Sequence, residues 1–320
     1  MDGVTVTDKK VVSLAPKIKH AEIRALLPTV LTPLKASFVI HGVSNAVSNG
    51  IRRTIGGELR VSAMFAEYAS METNDPILIP EMVLLRLRMI PIDQKIDLNA
   101  KFELIATNTT DTVRDVKSSE IMRLGESKAK PVFNETFTIC TLAPGMSISI
   151  SPIIIRQEFG FTSGDGMHVV AVQTVSRAVD QKPINTFEPE AGGLSSRVAN
   201  PRVWEIIFKT IGTMTPDEII RAACDSIIDR VSKVKALLYS IVNNADEYLL
   251  TINGESDTIG NLFMRTICDL YPDITAVAYS CESVGRGVTI RVRCDDDINT
   301  IFLTTIKKIV SQMEQIRQYF

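Results

Sequence analysis

At 320 residues, with 45% hydrophobic and 22% charged positions, the chain has the composition of a soluble globular protein with room for two or three domains, which excludes disorder. A net charge of -2 and a pI near 6.0 exclude stand-alone nucleic-acid binding, whose affinity comes from clustered Lys and Arg on phosphates. Five scattered cysteines with no C-x-x-C pair point to reduced thiols, not to a disulfide framework or a zinc site.

Residues 1–34 carry Lys9, Lys10, Lys17, Lys19 and His20, then a short amphipathic stretch around Ala21 to Leu27 and the prolines Pro28 and Pro33. They read as an N-terminal arm. From Lys35 to Ile55 an apolar run (Phe38, Val39, Ile40) stops at Gly42, and Ser44 and Asn45 offer side-chain oxygens to a following helix. On that helix Val47, Ile51, Thr54 and Ile55 share one face, with Asn49, Arg52 and Arg53 largely off it. Leu59–Tyr68 alternates as a strand, and Pro80 opens a short helix that Pro91 stops. No signal peptide is expected at the start of the chain. Arg86 and Arg88 break its apolar LIPEMVLLRLRMIPI stretch, so no membrane span is expected.

Between Asp93 and His168 short β-rich pieces separated by turn residues predict a small β-dominated insertion over 93–168. The tripeptides Asn108-Thr109-Thr110 and Asn134-Glu135-Thr136 fit a glycosylation pattern but, with no secretory route expected, are read as idle. VVAVQTVSRAV returns as a strand, residues 181–202 form a Pro-, Gly- and Ser-rich loop, and VWEIIFKTIG is another strand. Thr215-Pro216-Asp217-Glu218 has the pattern of a capping box with Pro at the first helical position. The helix it starts carries a heptad through Ile220, Cys224, Ile227, Val231, Val234, Leu238 and Ile241.

Glu247–Ile267 then repeats Lys35–Ile55 without a gap at an offset of 212 residues, with seven identities that include Gly42/Gly254, Ser44/Ser256, Asn49/Asn261 and Arg53/Arg265. A repeat this long implies two related domains. Here Ile259, Leu262, Phe263, Thr266 and Ile267 form the helix face. A hairpin follows around Ser283–Gly287. Asp295, Asp296 and Asp297 then start a last helix, whose heptad runs through Phe302, Ile306, Ile309, Met313, Ile316 and Phe320. The two heptad helices are expected to pack together. The intramolecular core is therefore expected at Ile51, Ile55, Leu262, Phe263 and Ile267 on the repeated helices, with Val231, Val234, Ile309 and Met313 on the heptads.

These motifs, in this order, resemble the two α-like subunits of multisubunit DNA-dependent RNA polymerases. Asn45–Arg53 is similar to the A-N-x-L-R-R helix of the larger α-like subunit, and Glu72-Thr73-Asn74 through Pro80–Ile92 to its N-T-S…D-E…H-R-L-G-L-I-P-L segment. Leu142–Met146 matches its L-x-x-G-Q, and Lys209–Pro216 its E-S-x-G-S-x-x-P. Ser256–Leu262 is similar to the D-H-T-L-G-N-L of the small α-like subunit. The resemblance runs from about residue 33 to the C-terminus.

It implies an α+β fold: a larger α-like dimerisation domain (35–92 and 169–242) interrupted by the insertion, and a small one (245–320), forming a pseudo-dimer within one chain. It implies a non-catalytic platform that docks the second-largest and largest catalytic subunits, joined by small zinc-binding subunits, without direct nucleic-acid or membrane contact. Fusion of the two partners is similar to what polymerases of large DNA viruses carry, which implies virion and host cytoplasm, or the nucleus for a cellular protein. On that resemblance Asn49, Arg52, Arg53, Arg86, Asn261 and Arg265 are the candidates to face other subunits.

The chain departs from the family in three places. The insertion holds only Cys140, so no metal or other cofactor is expected. The H-A-K-W-x-P segment survives only as Asp165-Gly166-Met167-His168. Gly50 stands where an apolar residue is usual, at about 1 kcal/mol of helix propensity unless close helix approach requires it. His20, His41 and His168 sit in no ligand-spaced motif, and Asp295–Asp297 reads as helix-start charge before a magnesium site. A scaffold of another intracellular complex is the alternative; an autonomous enzyme would need an acid, base or nucleophile constellation that the sequence does not offer.

Overall fold

The computed structural model describes residues 3–14, 34–92, 94–124, 137–159, 171–179, 202–210, 212–244, 247–281 and 287–320. The amphipathic stretch at Ala21–Leu27, the Asn134 tripeptide, the Asp165–His168 segment, the loop at 181–201 and the turn at Ser283–Arg286 lie outside them. The fold is mixed α and β, with all described sheets antiparallel.

The first sheet has strand order β1-β2-β11-β10, formed by β1 (Thr5–Ser13), β2 (Leu34–His41), β11 (Val203–Thr210) and β10 (Ala171–Ala178). β2 and β11 pair without a break from Leu34/Thr210 to His41/Val203. Strict alternation along β11 turns Trp204, Ile206, Phe208 and Thr210 inward. Lys9 and Lys10 of the expected arm thus lie on an edge strand.

The second sheet has order β12-β13-β15-β14: β12 (Val242–Asn244), β13 (Glu247–Asn253), β15 (Gly287–Arg293) and β14 (Ala276–Cys281). β14 and β15 pair as the expected hairpin. The third sheet runs β3-β9-β5-β7, with β3 (Arg60–Phe65), β9 (Ser147–Phe159), β5 (Lys101–Thr107) and β7 (Ile121–Arg123). β4 (Met71–Thr73) also pairs β9, and β6 (Arg114–Lys117) pairs β8 (Thr138–Leu142) apart.

Five α-helices are described: α1 (Asn45–Arg53), α2 (Pro80–Met89), α3 (Pro216–Val234), α4 (Asp257–Leu270) and α5 (Ile298–Arg317). Gly42 and Gly254, equivalent under the repeat, both have φ of 80°, the left-handed conformation in which glycine carries no Cβ penalty. Each turn hands its strand to α1 or α4, whose first residues are also 212 apart. The expected side-chain caps are not there: neither Ser44 nor Ser256 accepts from a helix amide. Their carbonyls do so instead, taking Ser48 N at 3.1 Å and Gly260 N at 3.2 Å. The box at Thr215 is present, with Thr215 Oγ1 accepting from Glu218 N at 3.3 Å and Glu218 Oε2 from Thr215 N at 2.9 Å. Of the three aspartates before α5, Asp297 is the cap, accepting from Asn299 N and Thr300 N.

Two cores result. The first unites the inner faces of the first two sheets with α1, α3, α4 and α5; the second unites the third sheet and the β6–β8 pair with α2. β3 belongs to both, giving Val61 and Ala63 to the first core and Met64 to the second. Asn108 is fully buried, its Nδ2 donating to Thr112 O and Leu142 O, so its tripeptide is closed to glycosylation.

The heptads of α3 and α5 superimpose at an offset of 82 residues, pairing Ile220 with Phe302, Val231 with Met313 and Val234 with Ile316. All six are buried, and the two helices lie against each other. The heptad outlasts its helix: α3 ends at Val234, and Lys235–Ser240 tightens to a 3-10 turn. The chain has to leave the helix there to feed β12 two residues later, so Leu238 and Ile241 are only half-buried.

Candidate subunit interface

The face shared by α1 and α4 is built from positions that the repeat makes equivalent. Gly50 corresponds to Leu262 at the 212-residue offset, and the two meet: a Cβ on Gly50 would sit 3.3 Å from Leu262 Cδ1. This answers the departure noted above, since glycine at position 50 is the hollow that receives Leu262. Ile51, Ile55, Leu262, Phe263 and Ile267 are each 1% exposed or less, as are Val231, Val234, Ile309 and Met313, and all nine lie in the first core.

α1 does not simply end. Thr54–Glu58 continues it as a π-helical turn, so Ile55, expected on the helix, sits in this wider turn. The turn keeps Thr54 and Ile55 inside and carries Glu58 into the seam, where it is 6% exposed. There Glu58 Oε1 accepts from Thr258 Oγ1 at 2.6 Å and from Ser256 Oγ at 3.4 Å, while Oε2 accepts from Arg230 Nη1 at 2.5 Å. Arg230, from α3, also grips Glu255 through Nε at 3.0 Å and 3.1 Å and through Nη2 at 2.5 Å. The side chains of Arg230, Glu58 and Glu255 are 10%, 8% and 14% exposed. Burial alone would lower the Arg230 pKa; the bonds and charges of Glu255 and Glu58 outweigh it and raise the value above that of a free guanidinium.

The predicted interface residues separate into groups. Asn49 and Arg52 are half-buried neighbours on α1, with Arg52 Nε donating to Asn49 Oδ1 at 2.9 Å. Burial, and then the charge of Arg53, lower the Arg52 pKa. Arg53 turns into the seam: its Nε donates to Thr258 Oγ1 at 2.9 Å, with Glu58 at 3.7 Å and Asp257 at 3.9 Å. Asn261 is half-buried on α4, and Arg265 pairs with Asp269 one turn on at 3.3 Å. Arg86 is elsewhere, exposed on α2 and donating to Ile139 O at 3.3 Å. Near it, before and at the start of α2, Ile77, Ile79 and Met82 are 80%, 59% and 48% exposed.

Sequence reasoning missed Glu58, Arg230 and Glu255. One signal was present: Arg230 immediately precedes the heptad residue Val231, the flanking position at which charged residues set partner choice in paired helices. Nothing in the sequence marks Glu58, because only the π turn aims it inward.

On the other side of the same seam some of the residues equivalent to this network line a cleft of about 640 Å³. Its lining includes Gly42, Ser44, Leu270 and Gln312, which correspond to Gly254, Ser256, Glu58 and Arg230 at the offsets of 212 and 82. Cys224 and Cys140 are buried thiols whose pKa values burial pushes up to about 12 and about 11, which leaves them without the thiolate that nucleophilic chemistry needs. Among the described residues no three His, Cys, Asp or Glu side chains group as metal ligands would, and no described helix is long and apolar enough to cross a membrane.

No family model matches the chain. It is similar along nearly its whole length to viral proteins named "DNA-directed RNA polymerase RPB3-11 homolog". The protein of African swine fever virus strain Badajoz 1971 Vero-adapted is 24% identical over 334 residues, 93% of this chain and 92% of that relative. That of isolate Pig/Kenya/KEN-50/1950 is 24% identical over 338 residues, 95% and 93% of the two. The relative from isolate Tick/South Africa/Pretoriuskop Pr4/1996 is also 24% identical, over 93% of this chain.

Proposed function

We propose that this chain is a non-catalytic assembly subunit of a DNA-directed RNA polymerase in which two α-like halves, joined end to end, pair as an intramolecular pseudo-dimer. The observation that carries the reading is the seam at Gly50 and Leu262, where equivalent residues of the repeat meet, in a chain similar throughout to relatives named as polymerase subunits. The larger half comprises residues 35–92 and 169–242, the smaller 245–320, and the β-rich insertion spans about 93–168 with α2 packed against it. Fusion fixes the ratio of the halves at one to one and replaces their encounter by an effective concentration on the order of mM.

In this reading the platform docks the second-largest and then the largest polymerase subunit, with small zinc-binding subunits joining them, in a virion or the cytoplasm of an infected cell. The docking surface centres on Asn49 and Arg52, which carry polar groups on the outer side of α1, with Asn261 and Arg265 as their counterparts on α4. Arg86 and the exposed apolar group Ile77, Ile79 and Met82 extend it across α2. Arg53 contributes mainly to the pairing of the halves, its donors being spent on Thr258 and the flanking carboxylates.

The test is co-expression of the tagged chain with the two largest subunits of its polymerase. The wild-type chain should retain the second-largest subunit and, through it, the largest. Asn49→Ala with Arg52→Ala should leave the isolated chain's melting cooperative and reduce that capture at least tenfold; undiminished capture would refute the assigned surface, and no capture by the wild type would refute the function.

A further inference from the structure

We infer that the buried Arg230–Glu58–Glu255 network, with Thr258, selects pairing between unlike halves and acts against pairing of like ones. Glu58 and Arg230 belong to the first half, Glu255 and Thr258 to the second, and every bond from Arg230 to Glu255 and from Thr258 or Ser256 to Glu58 crosses between halves. The network occurs once. At the positions related to it by the repeat, the first half has Val43 for Glu255 and Ala46 for Thr258, and the second half has Leu270 for Glu58 and Gln312 for Arg230. Two of those positions, Leu270 and Gln312, border the cleft on the opposite side of the seam, where the ion pair across it, Arg202 with Asp269 at 3.7 Å, has side chains 50% and 22% exposed and so is no buried network.

Consider the like pairings this geometry would allow. Two first halves would bring Arg230 against Val43 and Glu58 against Ala46, so each guanidinium would keep Glu58 but lose Glu255, the carboxylate it holds by three contacts, and each Glu58 the Thr258 hydroxyl. Two second halves would set Glu255 against Gln312 and Thr258 against Leu270, burying a carboxylate with no cation. A buried charge deprived of its partner is penalised far more than the intact pair is favoured, so such a network discriminates between partners more than it stabilises. The apolar seam discriminates at one place only, where Gly50 receives Leu262 and like halves would leave a hollow or overpack; Ile51, Ile55, Phe263 and Ile267 would bury against either half. The inference rests on the pairing of halves and not on capture of any polymerase subunit, so its test is independent of that reading's outcome.

The test uses the full chain with a protease site inserted between Asn244 and Glu247, cleaved after folding, unfolded in urea and refolded, with native mass spectrometry counting the pairs. The nicked wild type should return only as the unlike pair. In the symmetrised variant Glu58→Leu, Arg230→Gln, Glu255→Val, Thr258→Ala, each position takes the residue its counterpart already accommodates. Pairs of like halves should then rise from undetectable to a measurable share of the refolded material, below the statistical half because Gly50 and Leu262 still favour the unlike pair. A second variant, Glu58→Gln with Arg230→Met and Glu255→Gln, keeps side-chain volumes and removes only charge, and should shift the distribution the same way. Exclusive unlike pairing in either refolded variant would overturn the inference, as would like pairs from the wild type. Failure of both variants to refold would overturn it too, because the network would then be a requirement for folding and not a selector.

Discussion

Exchanging the residues at positions 50 and 262 tests the reciprocal packing of α1 and α4 directly. A Cβ at position 50 reaches Leu262 Cδ1 at 3.3 Å, so Gly50→Ala needs only a few tenths of an ångström from a side-chain tip. It recovers about 1 kcal/mol of helix propensity, and its net effect should lie within about 1 kcal/mol of wild type. Gly50→Leu is different: it drives a second isobutyl group into the space of a Leu262 that is fully buried, and should cost about 1–3 kcal/mol in overpacking. Leu262→Gly opens a cavity, at about 2–5 kcal/mol for the lost side chain and about 1 more for a glycine within α4. The double variant Gly50→Leu with Leu262→Gly refills that hollow from the other helix. Urea unfolding followed by circular dichroism should show it more stable than the sum of the single losses by about 1–3 kcal/mol, the range for side chains in direct contact. Additivity to within about 0.5 kcal/mol would refute the reciprocal packing of α1 and α4.

The remaining expectations are more local. Val231→Asp or Ile309→Asp buries a charge at a fully enclosed heptad position and should abolish the cooperative melt; an unchanged transition in both would show that α3 and α5 do not hold the halves. Arg230→Met alone should cost about 3–5 kcal/mol by stranding Glu58 and Glu255, measured in the same urea experiment, whereas the charge-free triple variant should lose much less. The Glu218 carboxyl is held down to about 2, first by the Thr215 amide and then by Lys95 and the Thr215 hydroxyl. Its folded pKa is depressed, so its contribution is complete above the unfolded value near 4.5 and disappears as pH falls toward 2. The stability gap between wild type and Glu218→Gln should therefore narrow across that window, and a gap independent of pH would show that the charge plays no part. Iodoacetamide at pH 8 should leave Cys140 and Cys224 unmodified in the native chain and label both in urea, as read by peptide mass mapping.

How much of this was legible beforehand follows from which forces act locally. Strand, turn and helix of both repeats could be read because Gly42 and Gly254 punctuate apolar runs, and the Thr215 box because capping depends on four adjacent residues. The heptads of α3 and α5 announced their partnership through spacing alone. The caps at Ser44 and Ser256 were misread because an N-cap pattern states only what a side chain could do; in the structure Ser256 Oγ turns to Glu58 instead. Of the candidate interface residues, Asn49 and Arg52 lie half-buried on α1 off its apolar face, where periodicity puts them, while Arg53, one residue on, is drawn inward by Thr258, some 205 positions away. No local pattern contains that contact, and none reports that a π turn rotates Glu58 into the seam.

In the proposed pairing, that turn accounts for how the two halves differ at their junction while sharing a core. An apolar interface between copies of one unit tolerates pairings that conserve volume, and here glycine against leucine at positions 50 and 262 conserves it in the unlike pair. Polar groups are less forgiving, since each needs a partner at a fixed place. One widened turn after α1 delivers a carboxylate, one arginine beside a heptad meets it, and a glutamate and a threonine at the start of α4 complete the set on one side only. On the opposite side Leu270 and Gln312 stand where Glu58 and Arg230 would, at a cleft whose one cross-seam ion pair, Arg202 with Asp269, is partly exposed. Discrimination therefore requires few residues, all at the margin of the apolar seam, where substitution does not disturb the packing that both halves share.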